Sequence, residues 1–234
     1  MTGVWRRDRV RTMPSCEVID PVETVAREGT SARPELVILA ASAGGIPALQ
    51  QILGGLPGTF PVPIAVLQHR SPTMRSMLPA ILERRCKLRV KDAQVNERFT
   101  PGTVYVAPAD VHLVVGSDRR FHFHDGRKIH FLRSSADPLI QSAAHALGGR
   151  VIAVVLTGGG RNGTGGVRDV RAMGGTVIAQ DPTTAEHPGM PRAAIATGAV
   201  DYILPLEGIA PMLEHLTSDE PNGKQPAEPA KEAI

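Results

Sequence analysis

Leu36-Val37-Ile38-Leu39-Ala40-Ala41-Ser42-Ala43-Gly44-Gly45-Ile46-Pro47 is the stretch from which the fold can be read. Leu36 to Ala40 is apolar without alternation, the pattern of a strand buried on both faces. Gly44, Gly45 and Pro47 follow at once and open a helix running to about Leu53. A buried strand that turns directly into a helix is the first half of a strand-helix-strand unit, so a parallel sheet is expected here.

The same alternation recurs on either side of a different middle. Pro63 to Gln68 is a second strand, followed by a helix from about Met74 to Arg84. Val104 to Val106 and His112 to Val115 are strands around the turn Ala107-Pro108-Ala109-Asp110, and Phe121 to His124 and Lys128 to Phe131 flank Asp125-Gly126, a hairpin signal. Then come a helix over Pro138 to Leu147, a strand over Val151 to Leu156, a helix over Gly165 to Met173 and a strand over Thr176 to Ala179. A helix over Arg192 to Thr197, a short strand at Tyr202 to Leu204 and a helix over Leu206 to Leu216 close the series. The expected fold is α/β: a doubly wound, mainly parallel sheet with helices on both faces and an antiparallel hairpin extension. The body is expected over residues 35–217, between a flexible N-terminal arm (1–34) and a disordered C-terminal tail (218–234) rich in proline and charge.

Composition narrows the function. The chain has 234 residues, long enough to bury a core without disulfide or metal staples. The longest apolar runs, Leu36 to Ala41 and Val151 to Leu156, are too short to cross a bilayer, so no membrane insertion is expected. A net charge of +3, from 26 Lys and Arg against 23 Asp and Glu, is too small and dispersed for a nucleic-acid partner. The basic start lacks the apolar stretch of a secretory signal, and Cys16 and Cys86 make no disulfide framework. A cytoplasmic protein is expected.

In open α/β sheets, sites form beyond the carboxyl ends of the strands. Three such ends carry chemistry: Ser42, His69, and the loop Thr157-Gly158-Gly159-Gly160-Arg161-Asn162-Gly163. Ser42 sits among small residues on a tight strand-to-helix turn similar to a nucleophile elbow, with Ala40 in place of the first glycine. Capping the helix behind it is the commoner role for a serine so placed. His69 is either a general base for a neighbouring serine or a strand-end histidine bonded to backbone. The glycine loop satisfies G-x-G-x-x-G after a strand, with Asp181 where a ribose-binding acid belongs. It also suits an oxyanion-binding and base-orienting loop, or a tight turn that lets a helix pack close to the sheet. His122 and His124 share a strand face without an evident third ligand, so no metal is expected. Met190 is read as core.

Taken together, these segments resemble the catalytic domain of CheB-type chemotaxis protein-glutamate methylesterases. The resemblance runs through Ala41-Ser42-Ala43-Gly44-Gly45, Val66-Leu67-Gln68-His69, Pro101 to Pro108, Leu156-Thr157-Gly158, Ile178 to Asp181, Gly189 to Ala194 and Gly198 to Asp201. It implies a serine hydrolase that removes methyl esters from glutamates on a chemoreceptor's cytoplasmic helices, and in some members deamidates glutamine there. It implies Ser42 as nucleophile, His69 as base, and backbone N–H groups of Ala43 and Gly159 as the oxyanion hole. No cofactor is implied. The partners would be a methyl-accepting chemoreceptor or similar signalling protein, and a separate receiver protein, since 34 leading residues cannot make the receiver domain usual in this family.

The sequence departs from the family pattern where the chemistry is concentrated. The loop's usual aspartate is Asn162, its usual methionine is Gly159, and the threonine common after the nucleophile is Ala43. The family's H-R-P-S-V-D segment appears as Leu132-Arg133-Ser134-Ser135-Ala136-Asp137. Asn162 is expected to hold His69 through its side-chain oxygen. An amide cannot stabilise an imidazolium by charge, so a weakened esterase is expected, with a catalytically impaired binding or regulatory module as the alternative.

Overall fold

The computed structural model describes residues 33–69, 77–124 and 135–218. Its main sheet has seven strands, all parallel, in the order β3-β4-β2-β1-β7-β8-β9. These are β1 (Leu36–Ala41), β2 (Ile64–Gln68), β3 (Arg89–Asp92), β4 (Thr103–Val106), β7 (Val151–Val155), β8 (Thr176–Gln180) and β9 (Tyr202–Leu204). The chain builds outward from β1 to β2, β4 and β3. It then returns across the sheet to lay β7 on the opposite side of β1. The strand order therefore reverses at β1, and the crevice at the carboxyl ends of β1, β2 and β7 is where a site is expected.

Every residue of β1 is fully buried because alternate side chains enter two cores. Leu36, Ile38 and Ala40 face the layer that includes α3 (Ala136–Leu147), α4 (Thr164–Ala172) and α5 (Gly189–Ile195). Val37, Leu39 and Ala41 face α1 (Gly45–Gly55), α2 (Leu78–Glu83) and α6 (Leu206–Thr217). The doubly wound parallel fold is thus the one expected. Among the described residues, no helix is long and apolar enough to cross a membrane.

The antiparallel extension is present. β5 (His112–Val115) pairs with β6 (Phe121–His124) through a connection over residues 116–120, where Arg119 adopts φ 59°. The expected Asp125-Gly126 turn and the Lys128 to Phe131 strand lie outside the described residues, as does the start of the helix expected from Met74. β3 was not expected. Its sequence, Arg-Val-Lys-Asp, places a single buried residue, Val90, in an edge strand otherwise at the surface, and so few apolar side chains leave no strand signal.

An ion cluster ties the sheet's amino end to the small hairpin. The Glu35 carboxylate accepts two hydrogen bonds from Arg119, at 2.6 and 2.8 Å, and one from Arg150 at 2.5 Å. The Arg119 bond, aided by the charges of both arginines, holds the Glu35 carboxyl below its ordinary value. A depressed native pKa means stabilisation that is present above the ordinary glutamate range and lost as pH falls through the native pKa. Glu35→Gln is therefore expected to lower unfolding free energy at pH 7 by up to about 1 kcal/mol, the scale of partly exposed pairs. The gap to the parent chain should narrow as pH falls below the ordinary glutamate range, in denaturant titrations taken across that range. A gap that persists undiminished in acid would show that the carboxylate's charge is not its source.

Candidate active site

Three strand ends meet at the crevice. Ser42 follows β1, His69 follows β2, and Asn162 lies in the loop after β7. Backbone bonds fix the turn that carries Ser42: its N–H donates to the Thr157 carbonyl, and its carbonyl accepts from Gly45. The carbonyl also accepts from the Gln68 carboxamide at 2.7 Å. A Cβ on Gly45 would sit 2.1 Å from Gln68 Oε1, so only glycine lets the first turn of α1 lie against that side chain. Ser42 does not cap α1. The cap is Gly44, in the left-handed region at φ 71°, and no side chain bonds the helix end.

The Ser42 hydroxyl instead meets the His69 ring, Oγ to Nδ1 at 3.0 Å. The other ring nitrogen, Nε2, lies 2.5 Å from Asn162 Nδ2. Sequence reasoning assigned the opposite end of the amide to this contact. Asn162 Oδ1 accepts from the Ala136 N–H at 3.0 Å and from the Ser135 hydroxyl at 2.7 Å. A backbone N–H only donates, so the atom facing Ala136 is the oxygen and the NH2 is turned to His69. With Nε2 accepting from that NH2, a neutral ring carries its proton on Nδ1, the atom that faces Ser42.

The glycine loop owes its shape to Asp137. The Asp137 carboxylate accepts the N–H groups of Gly163 at 3.1 Å, Gly165 at 2.9 Å and Gly166 at 3.0 Å. These are the donors at the start of α4, without partners inside the helix, to which a dinucleotide phosphate would bind, and an internal carboxylate already fills them. Asp181 is likewise spent on its own turn, accepting from the Thr183 N–H and hydroxyl at 2.8 Å each. The nucleotide-binding meaning of the G-x-G-x-x-G match is therefore set aside. His122, offered as half of a metal site, bonds Asp118 at 3.2 Å.

Residues that sequence reasoning left without a role complete the frame. Thr157, 2 % exposed, donates its hydroxyl to the Ala43 carbonyl and accepts the His187 N–H, joining two loops beside Ser42. Met190 is fully buried, as expected, and its sulfur lies where a Cβ on Gly158 would be. That Cβ would sit 2.2 Å from the sulfur and 2.8 Å from Ser42 Cβ. Gly158→Ala is accordingly expected to cost about 1–3 kcal/mol through overpacking. It should lower the melting temperature by several degrees and displace Ser42, so that kcat falls along with stability. A variant with unchanged melting temperature and turnover would contradict this packing.

The open side is a cleft of about 320 Å³ lined by Ser42, Ala43, Gly44, Gly45, Gln68 and His69. Among the described residues, neither the Ala43 nor the Gly159 N–H is taken by another backbone carbonyl or side chain. Among the same residues, no group of three or more His, Cys, Asp or Glu is arranged to hold a metal ion.

The class is thus a doubly wound α/β domain that joins a hydroxyl, an imidazole and an amide at its topological switch point. The chain belongs to the CheB methylesterase family, whose model matches residues 37–213. It is similar to the Thermotoga maritima CheB methylesterase catalytic domain, known from its crystal structure. The identity is 37%, the TM-score 0.76, and the match covers 79% of this chain and all of that one. A Leptospira interrogans protein provisionally named protein-glutamate methylesterase/protein-glutamine glutaminase is 38% identical, over 78% of this chain and 94% of its own length. A Caulobacter vibrioides protein bearing the same pair of activities in its name is 40% identical over 76% of this chain, but only 53% of its own length.

Proposed function

We propose that this chain hydrolyses glutamate methyl esters on the cytoplasmic helices of a chemoreceptor or similar signalling protein, and deamidates glutamines there, with the body at residues 35–217 as the catalytic unit. The observation that carries this reading is the 3.0 Å contact of Ser42 Oγ with His69 Nδ1, beside N–H groups of Ala43 and Gly159 that other described groups leave unused. In the proposed course, the Asn162 amide turns over so that the neutral His69 carries its proton on Nε2, and Ser42 Oγ attacks the ester carbonyl as His69 takes its proton at Nδ1. The N–H groups of Ala43 and Gly159 receive the oxyanion, each such donor contributing about 10²–10³ in rate. The imidazolium then protonates departing methanol. Water repeats the attack on the acyl-enzyme, and a glutamate carboxylate is released. Water is the only co-reactant, and the cytoplasm, where receptor helices are methylated, is the proposed place of action.

A second reading, a binding module without turnover, draws on the Asn162 NH2 that faces His69. The two readings separate on incubation with receptor segments carrying labelled methyl esters. The enzymatic reading expects labelled methanol and, with a serine-directed phosphonate, a covalent adduct on Ser42. Stoichiometric receptor binding with neither methanol nor adduct would establish the module.

A further inference from the structure

We infer that Asn162 is a modification site at which the folded chain removes its own amide nitrogen, converting the side chain to a carboxylate. The consequence for activity rests on the esterase reading above; the modification itself does not. Asn162 is followed by Gly163, whose missing side chain leaves its nitrogen unhindered toward the preceding side-chain carbonyl. Around that carbonyl the fold places one group for each demand of the reaction. Asn162 Oδ1, which would take negative charge, already receives the Ser135 hydroxyl at 2.7 Å and the Ala136 N–H at 3.0 Å. The Gly163 N–H, which must lose its proton, donates to Asp137 Oδ2 at 3.1 Å. Nδ2, which must leave, lies 2.5 Å from His69 Nε2. Asn162 and Asp137 are 4 % and 7 % exposed and Ser135 is fully buried, so these groups act largely out of water.

The steps balance. Gly163 N gives its proton to Asp137 and bonds Asn162 Cγ, and the carbonyl electrons move onto Oδ1. Collapse re-forms the carbonyl and breaks the bond from Cγ to Nδ2. The nitrogen leaves as ammonia after taking a proton from His69 in its imidazolium form. Water then opens the cyclic imide and restores the Gly163 N–H, giving aspartate or isoaspartate. Overall, asparagine and water become a carboxylate and ammonium. In the aspartate product Oδ1 keeps both donors, and the new oxygen stands where Nδ2 stood, so His69 gains a carboxylate without repacking.

The test uses the unsubstituted chain in heavy-oxygen water, folded or held in denaturant, with peptide mass spectrometry following label at Asn162. Asn222-Gly223, the same dipeptide elsewhere in the chain, reports the rate set by local sequence. The expected result is conversion of Asn162 at least about tenfold faster in the folded chain than in the denatured one, a modest return for positioned acid–base groups. Ser135→Ala and Asp137→Asn should each remove most of that excess. Equal or slower conversion in the folded chain overturns the proposal, whatever the variants do. Methanol release should rise in step with the aspartate fraction. Conversion without that rise would leave the modification standing and count against the esterase reading. An active Asn162→Asp variant beside an unconverted parent would do the reverse.

Discussion

Asn162→Asp raises methanol release from methylated receptor segments about 10³-fold over freshly prepared parent chain, within bounds of about 30 to 10⁴. The upper bound is the effect of exchanging the orienting carboxylate for its amide in a serine protease triad. The lower bound comes from this site. To accept a proton from Ser42, His69 must carry its other proton on Nε2, and that proton would point at the Asn162 NH2. The amide relieves the conflict by turning over, which breaks the Oδ1 bonds to Ala136 and Ser135 and leaves a buried N–H unsatisfied. A buried donor left unpaired costs about 1–3 kcal/mol, and a lost net hydrogen bond about 1 more. Their sum, about 2–4 kcal/mol, corresponds to roughly 30- to 10³-fold in rate at 1.36 kcal/mol per tenfold. A carboxylate has no wrong end, keeps both donors and accepts the Nε2 proton. Turnover of Asn162→Asp within twofold of the parent would mean that the amide is not what limits His69. No turnover in either form, with receptor binding retained, would establish the module.

Ser42→Ala is expected to reduce methanol release to the background of oxyanion-hole and binding effects, and its size should depend on residue 162. In a complete serine triad, losing the nucleophile or the base alone costs about 2 × 10⁶, and further losses add little because the members act as a unit. If the amide already forfeits about 10³, Ser42→Ala should cost about 10³ in the parent chain and about 10⁶ in Asn162→Asp. The four rates form a double-mutant cycle whose coupling term reports the cooperation of two side chains linked only through His69. Additive losses, equal in both backgrounds, would indicate that the imidazole does not join them. Peptide mass at Asn162 should accompany each rate, since any aspartate formed during storage would inflate the parent's value.

The legible parts of this sequence share one property: their signal is local. Continuous apolar runs such as Leu36 to Ala41 and Val151 to Val155 declared strands buried on both faces, because a strand covered by helices on both sides has no polar face to show. Gly44 and Pro47 marked the start of α1 for equally local reasons. β3 escaped because an edge strand with one buried side chain presents little apolar pattern. The pairing of β5 with β6 also went unread. Its connection, over residues 116–120, relies on Arg119 in a left-handed conformation that its residue type does not advertise. At the site, Ser42, His69 and Asn162 were found from their places after strands. Ser135 and Asp137 appeared only as a departure from a family pattern, because their work is done across 26 to 29 residues of chain.

By itself the sequence determined the layered α/β architecture and the three loops that could carry chemistry, since burial period and turn chemistry are properties of neighbouring residues. The tertiary structure alone decided which end of the Asn162 amide faces His69, and that the helix start at Gly163 is filled by Asp137 rather than open to a phosphate. Both outcomes follow from how a few donors are shared among buried acceptors. That allotment exists only once α3 is packed against α4 and the donors have no water to turn to.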